Sequence, residues 1–202
     1  MSEWTGRRAV RSSPGGRGRW RWRVATGLAF RTAIRHCEIV SERWFLKIDG
    51  IVGDSVDANH KDEIDVSSWS WGASHAGGGA GPAGGGGGAG KASFQDFHFL
   101  SKISKASPAL FLSCATGTHH KSAALSGVRT AGKGPSREFL KYKLSDVTVT
   151  SDQHTGNEGE APVEQFSLNY SKIEVTYTPQ APSGAAGTPI RAGYDVKSNK
   201  KA

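Results

Sequence analysis

Two cysteines in 202 residues, Cys37 and Cys114, exclude a disulfide scaffold, and no CxxC pair marks a metal or redox site. Long apolar runs are missing as well. The longest near the start, "VATGLAF", is at most one signal-peptide core in length, is closed by Arg31 and is followed by no small-residue cleavage site. Neither a secretory leader nor a membrane span is expected. Acidic residues are scarce in one region only: residues 1–43 hold ten of the 26 Lys and Arg but three of the 18 Asp and Glu. Sixteen basic and fifteen acidic residues remain beyond it, so the net charge of +8 belongs to the tail, and a nucleic-acid footprint on the body is not expected.

Chemical motifs are absent too. No GxxxxGK[ST], GxSxG or HExxH pattern occurs, and no carboxylate pair is marked for acid–base work. Of the seven histidines, His119 and His120 are adjacent and point to opposite faces of a strand, a poor ligand pair. His60 stands with Asp57, Asp62 and Glu63 in a polar stretch where solvated charge is the ordinary reading. The sequence assigns no catalytic residue, cofactor or metal, and binding or assembly is the class left.

What is present is mostly strand. "WFLKI" (44–48) opens the body, and the Arg-, Gly- and Trp-rich residues 1–43 read as a disordered extension or as upstream sequence translated from a start set too early. The competing reading is a basic arm for anionic surfaces, aided by Trp20 and Trp22. "IDVSSWSWG" (64–72) alternates: Ile64, Val66, Ser68 and Ser70 share one parity, and Trp69 and Trp71 take the other as anchors of the sheet, unless the strand is bulged midway. Residues 76–90, with ten glycines, gain too little from burial to hold one conformation and read as a flexible loop. "KASPALFLSCATG" is the one helix, with Ser107 at the N-cap, Pro108 at the first helical position, Gly117 at the left-handed end, and Leu110, Phe111 and Cys114 as its apolar stripe. In "REFLKYKLSDVTVTS" the apolar parity flips from Leu140, Tyr142 and Leu144 to Val147 and Val149. In "VEQFSLNYSKIEVTYTP" it flips from Phe166, Leu168 and Tyr170 to Ile173, Val175 and Tyr177. Such flips predict bends of the kind that turn corners in barrels. The fold class is mainly β, a two-sheet barrel-like body with one short lateral helix.

The segments "FLKIDGIVGDSVDANHKDEIDVSSWSWG", "GGGAGKASFQDFHF", "KASPALFLSCATGTH", "LKYKLSDVTVTS", "FSLNYSKIEVTYTPQ" and "AGYDVKSNKKA" together resemble the haemolysin-coregulated protein (Hcp) family, the tube proteins of bacterial type VI secretion. The resemblance runs from Trp44 to Ala202 and leaves residues 1–43 without a counterpart. It implies a protomer of a hexameric ring, with rings stacked into a tube that carries effectors in its lumen. A contractile sheath drives the tube and a spike tips it. The subunit is implied to assemble in the bacterial cytoplasm and to leave the cell without a signal peptide, with no membrane insertion. On the same basis Asp49–Glu63 is an inter-subunit loop, with Asp49, Asp54, Asp57, His60, Lys61 and Glu63 as polar contacts, and Ser70 faces the lumen and its cargo. The alternative is a stand-alone secreted binding module or effector built on the same fold.

Overall fold

A computed structural model describes residues 40–75, 92–131, 136–180 and 186–202. The basic residues 1–39 and the glycine tract 76–90 lie outside the described residues, so the expectations placed on them, including Trp20 and Trp22, find no counterpart here. The strands are β1 (Val40–Ile48), β2 (Ile64–Ser70), β3 (Ala73–His75), β4 (Ala92–Phe94), β5 (Phe97–Lys102), β6 (His119–Ala131), β7 (Arg137–Thr155), β8 (Val163–Tyr177), β9 (Ile190–Asp195) and β10 (Lys200–Lys201); the helix α1 spans Ser107–Thr116. β1 begins four residues before the boundary suggested at Trp44. Arg43 and Glu42 belong to the body, where Glu42 accepts two hydrogen bonds from Arg129 across the β1–β6 pair.

Six strands close on themselves in the order β8-β5-β2-β1-β6-β7, and β7 returns to β8. Every neighbouring pair is antiparallel. The body is therefore one continuous sheet rolled into a barrel, which removes the unpaired edges an open sheet would expose. β8 is the strand that closes it. Residues Val163–Leu168 pair with β5 on one side, Val163–Tyr177 pair with β7 on the other, and the half beyond Lys172 takes β9 in place of β5.

Closure needs sharp bends, and both parity flips occur at one level of the β7–β8 ladder. Ser145 faces Lys172 and Val147 faces Tyr170, so each strand spends one extra residue and the register stays in step. Asp146 sits there in the left-handed region (φ 52°). Its carboxylate accepts hydrogen bonds from Ser171 Oγ (2.6 Å) and from His119 Nδ1 (2.8 Å) and pairs with Lys197. These bonds, the Lys197 contact above all, hold the carboxyl well below the usual carboxylate range.

The barrel interior is filled. Phe97, Phe99, Phe166, Leu125, Leu144 and Leu168 are fully buried, and each contributes about 2–3 kcal/mol of transfer free energy. A second bulge, between Val66 and Ser68 on β2, decides where the tryptophans go. It brings Trp69 and Trp71 to the side of Ile64 and Val66, which simple alternation places opposite them. Trp69 packs edge-on to Trp44 (5.1 Å) and Tyr142 (5.2 Å). Trp71 stacks on Phe97 (5.4 Å) and donates its indole N–H to Tyr170 Oη (2.5 Å).

The helix differs in detail from the sequence reading. Ala106, not Ser107, is the N-cap and makes no side-chain cap bond; Ser107 and Pro108 are the first two helical residues. Ser107 turns inward instead, taking the Ser104 N–H (3.0 Å) and donating to the buried Glu164 (2.9 Å). Leu110 is buried, whereas Phe111 is 61% exposed and so lies off the packed stripe. Gly117 closes the helix at φ 63°, as expected.

Trp44 lies across β6 at Gly127, where a Cβ would come within 2.4 Å of the indole. Gly127→Ala therefore overpacks the site and lowers stability by about 1–3 kcal/mol, read as a fall of several degrees in melting temperature. Adding Trp44→Leu recovers part of that loss, and a strictly additive double variant would show that the two residues do not meet.

Candidate functional site

Two surfaces outside the filled core gather the residues that the sequence singled out. The first is the stretch between β1 and β2. Phe45 is fully buried yet lies outside the barrel core, on the outer face of β1. It is covered by the loop itself. The His60 ring stacks flat on it (4.5 Å between centroids, 5° between planes), and the Arg43 guanidinium lies 4.7 Å from its ring centre. Burying one phenyl ring in this way gives the loop a hydrophobic anchor that its sequence does not advertise.

The loop's charges then fix its course. His60 Nδ1 bonds Glu63 Oε2 at 2.9 Å with both side chains largely buried. Arg43 bridges Asp57 (3.4 Å) and Asp65 (3.0 Å). Asp54 takes both the Lys105 backbone N–H (3.1 Å) and its ammonium (3.1 Å), and the hydrogen bond from Lys105 holds its carboxyl below the usual range. The Asp49 carbonyl accepts from His120 Nδ1 (2.8 Å), and the Asp49 N–H donates to Ser122. Gly53, Ser55, Asp62 and Glu63 complete a short backbone ladder within the loop. Of the six residues expected to reach a neighbour, Asp54, Asp57, His60 and Glu63 are thus engaged inside their own chain. Asp49 and Lys61 lie exposed. Beside them the loop presents two apolar side chains that sequence reasoning passed over, Val52 (56% exposed) and Val56 (93%).

The second surface is the outer face of β2, β5, β8 and β7. The register sets Ser70, His98, Ser167 and Ser151 in one row across the four strands. Ser70 and His98 are exposed, while Ser167 is covered by Thr150 (2.8 Å) and Ser151 (2.5 Å). Asp96 accepts from Thr150 Oγ1 (2.7 Å) and from Asn169 Nδ2 (2.7 Å) and extends the network. Ser70 therefore belongs to a face of short, mutually hydrogen-bonded side chains. The tryptophans beside it point the other way.

One further group lies at the end of the barrel beneath the start of α1. Asp152, His154 and Glu164 bring one ligand atom each within 4.8 Å of one another. Burial pushes the Glu164 carboxyl up, against the lowering effect of its bonds to Ser107 and His154. Among the described residues this is the arrangement able to hold a cation. Its sequence signal is faint: Asp-x-His on one strand and a glutamate ten residues later.

The anchoring of the loop is directly testable. His60→Ala removes the ring from Phe45 and the bond to Glu63, and lowers stability by about 1–3 kcal/mol in urea denaturation. An unchanged midpoint would show that the loop is not held on Phe45.

Comparisons with known proteins bear on the same barrel. Residues 45–177, which take in the last four residues of β1 and the rest of the barrel, match the family model described as "Type VI secretion system effector, Hcp". The chain is similar to Protein hcp1 of Pseudomonas aeruginosa, 39% identical over 160 residues, covering 78% of this chain and 97% of that protein. Among solved structures, Hcp1 of Salmonella typhimurium is 35% identical with a TM-score of 0.64, covering 80% of this chain and 99% of the other. A type VI secretion effector of Yersinia pestis is 35% identical with a TM-score of 0.61, covering 76% and 99%. No described helix is long and apolar enough to cross a membrane. The chain belongs to the Hcp family of the type VI secretion system.

Proposed function

We propose that this chain is the tube subunit of a type VI secretion machine. Copies close into a six-membered ring, rings stack into a tube, and the tube carries effector proteins in its lumen as a sheath drives it outward behind a spike. The single observation that carries this reading is the family match across the barrel, from residue 45 to residue 177. The filled core supports it from another direction. A six-stranded barrel packed with Phe97, Phe99, Phe166, Leu125 and Leu144 has no room for cargo, so a lumen has to lie between copies.

On this reading the two surfaces divide the work. The polar row through Ser70 and His98 suits a wall that must let diverse proteins pass, since short hydrogen-bonded side chains hold no large apolar patch for cargo to stick to. The Asp49–Glu63 loop serves contacts between rings. Because Asp54, Asp57, His60 and Glu63 are already bonded within the chain, its docking relies on Val52, Val56, Asp49 and Lys61. Stacking is accordingly less salt-sensitive than a contact between free charges. Assembly takes place in the cytoplasm and release needs no signal peptide.

Removal of the whole loop is a poor test, because it uncovers Phe45. Val56→Asp changes only the tip. Electron microscopy of wild type is expected to show tubes or stacked rings, and of Val56→Asp single rings with the melting temperature within about a degree of wild type, as for a surface substitution. Tubes of wild-type length from the variant would contradict the role given to the loop. Isolated protomers from both proteins would contradict the tube reading itself.

A further inference from the structure

The bulge between Val149 and Ser151 has a consequence at the far end of β7. After it, Asp152 faces Phe166 and His154 faces Glu164 in the ladder. Because Phe166 and Glu164 point into the barrel, Asp152 and His154 share that inward face. Ser101 of β5 lies opposite Glu164 on the other side, also fully buried, and Ser107 of α1 donates to Glu164 Oε2. Three strands and the helix therefore aim polar side chains into one space at the barrel end.

The charges there do not balance. The Asp152 side chain is 3% exposed and that of Glu164 is fully buried, and the one ionic partner of either among the described residues is His154. Two buried carboxylates facing one imidazole leave negative charge without compensation, a state that proteins resolve with a proton or a cation. Hydrogen bonding is incomplete in the same place. Among the described residues, the buried side-chain oxygens without a partner are Asp152 Oδ1, within the cluster, and Ser101 Oγ, on the residue paired with Glu164.

We propose that Asp152, His154 and Glu164 form a binding site for a divalent transition-metal cation of the Zn2+ type, which staples the β7–β8 hairpin beneath α1. Both distances from the imidazole suit it, and the three ligand atoms lie within 4.8 Å of one another. His154 Nε2 lies 3.1 Å from Glu164 Oε1 and 3.5 Å from Asp152 Oδ2. Ligands at 2.0–2.1 Å around a tetrahedral ion are separated by about 3.3–3.4 Å. One imidazole nitrogen with two carboxylate oxygens favours such an ion over Cu(I), which seeks sulfur, and over Mg2+, which seeks oxygen alone. Ser107 orients Glu164 from behind, and Ser101 Oγ stands ready as a further oxygen donor. His154, 46% exposed, is the side from which an ion enters. This inference stands independently of the tube reading.

The test uses the full 202-residue chain without an affinity tag, stripped with a chelator and titrated with zinc chloride. Expected are one tightly held Zn2+ per chain by elemental analysis after gel filtration, a higher melting temperature with Zn2+, and a tetrahedral visible spectrum when Co2+ replaces it. Asp152→Asn and Glu164→Gln each weaken Zn2+ binding more than tenfold and abolish the melting shift while keeping the β-sheet circular dichroism. His75→Gln, on the distant β3 strand, changes neither. Substoichiometric Zn2+ on the wild-type chain, or equal binding by both carboxylate variants, would overturn the site. So would a wild-type chain indifferent to Zn2+ whose Glu164→Gln variant melts higher, because the carboxylates would then share a proton.

Discussion

The structure depends on β8 pairing on both sides at once. A strand that bonds β5 and β7 over the same residues leaves the sheet no free edge there, and it forces six strands around a space only wide enough for side chains. The rest follows from that closure. Phe99 of β5 stacks on Phe166, its paired neighbour on β8, and on Phe97 along its own strand; Trp69 and Trp71 seal the side near β2, and α1 packs against β7. The bends that closure demands appear as residues out of step, and each re-aims side chains. The bulge on β2 turns two tryptophans inward, the kink at Asp146 turns β7 and β8 together, and the bulge after Val149 turns Asp152 and His154 into the barrel end.

A filled barrel can act only through its outside. That constraint gives meaning to the two surfaces built on it. The β1–β2 loop is no loose appendage: it is held by a phenyl ring, an imidazole and a set of ion pairs that begin on β1 itself with Arg43. The exposed Arg43 pairs contribute little each, and they act here together with the buried ring and the largely buried His60–Glu63 bond. On the outer face of β2, β5, β8 and β7, the Thr150 and Ser167 hydroxyls bond each other, and Thr150 and Asn169 both donate to the Asp96 carboxylate, leaving that face polar.

Much of this was legible in the sequence, because alternation and its interruptions are local signals. The parity flips at Leu144–Val147 and Tyr170–Ile173 announced the corner, and Gly117 announced the end of the helix. Pairing partners carry no such signal. Residues 40–43 look like more of the basic tail because Arg43 and Glu42 find Asp57, Asp65 and Arg129 only after folding. Ser107 resembles a cap until Glu164 arrives from 57 residues away. Phe111 resembles core because the sheet beneath α1 takes Leu110 and leaves its neighbour outside. The acidic loop looks free to bind a partner because its internal pairings, such as Lys105 with Asp54, span distant positions. The Asp152, His154 and Glu164 cluster was hidden by a bulge that no pattern in "SDQHT" reveals.

On the tube reading proposed above, a barrel with no room inside works by making room between copies. Native mass spectrometry of the 202-residue chain, across protein concentration and salt, tests it most directly. A dominant species at six times the 21.4 kDa chain mass is the predicted result. A monomer at every concentration and salt tried would contradict it.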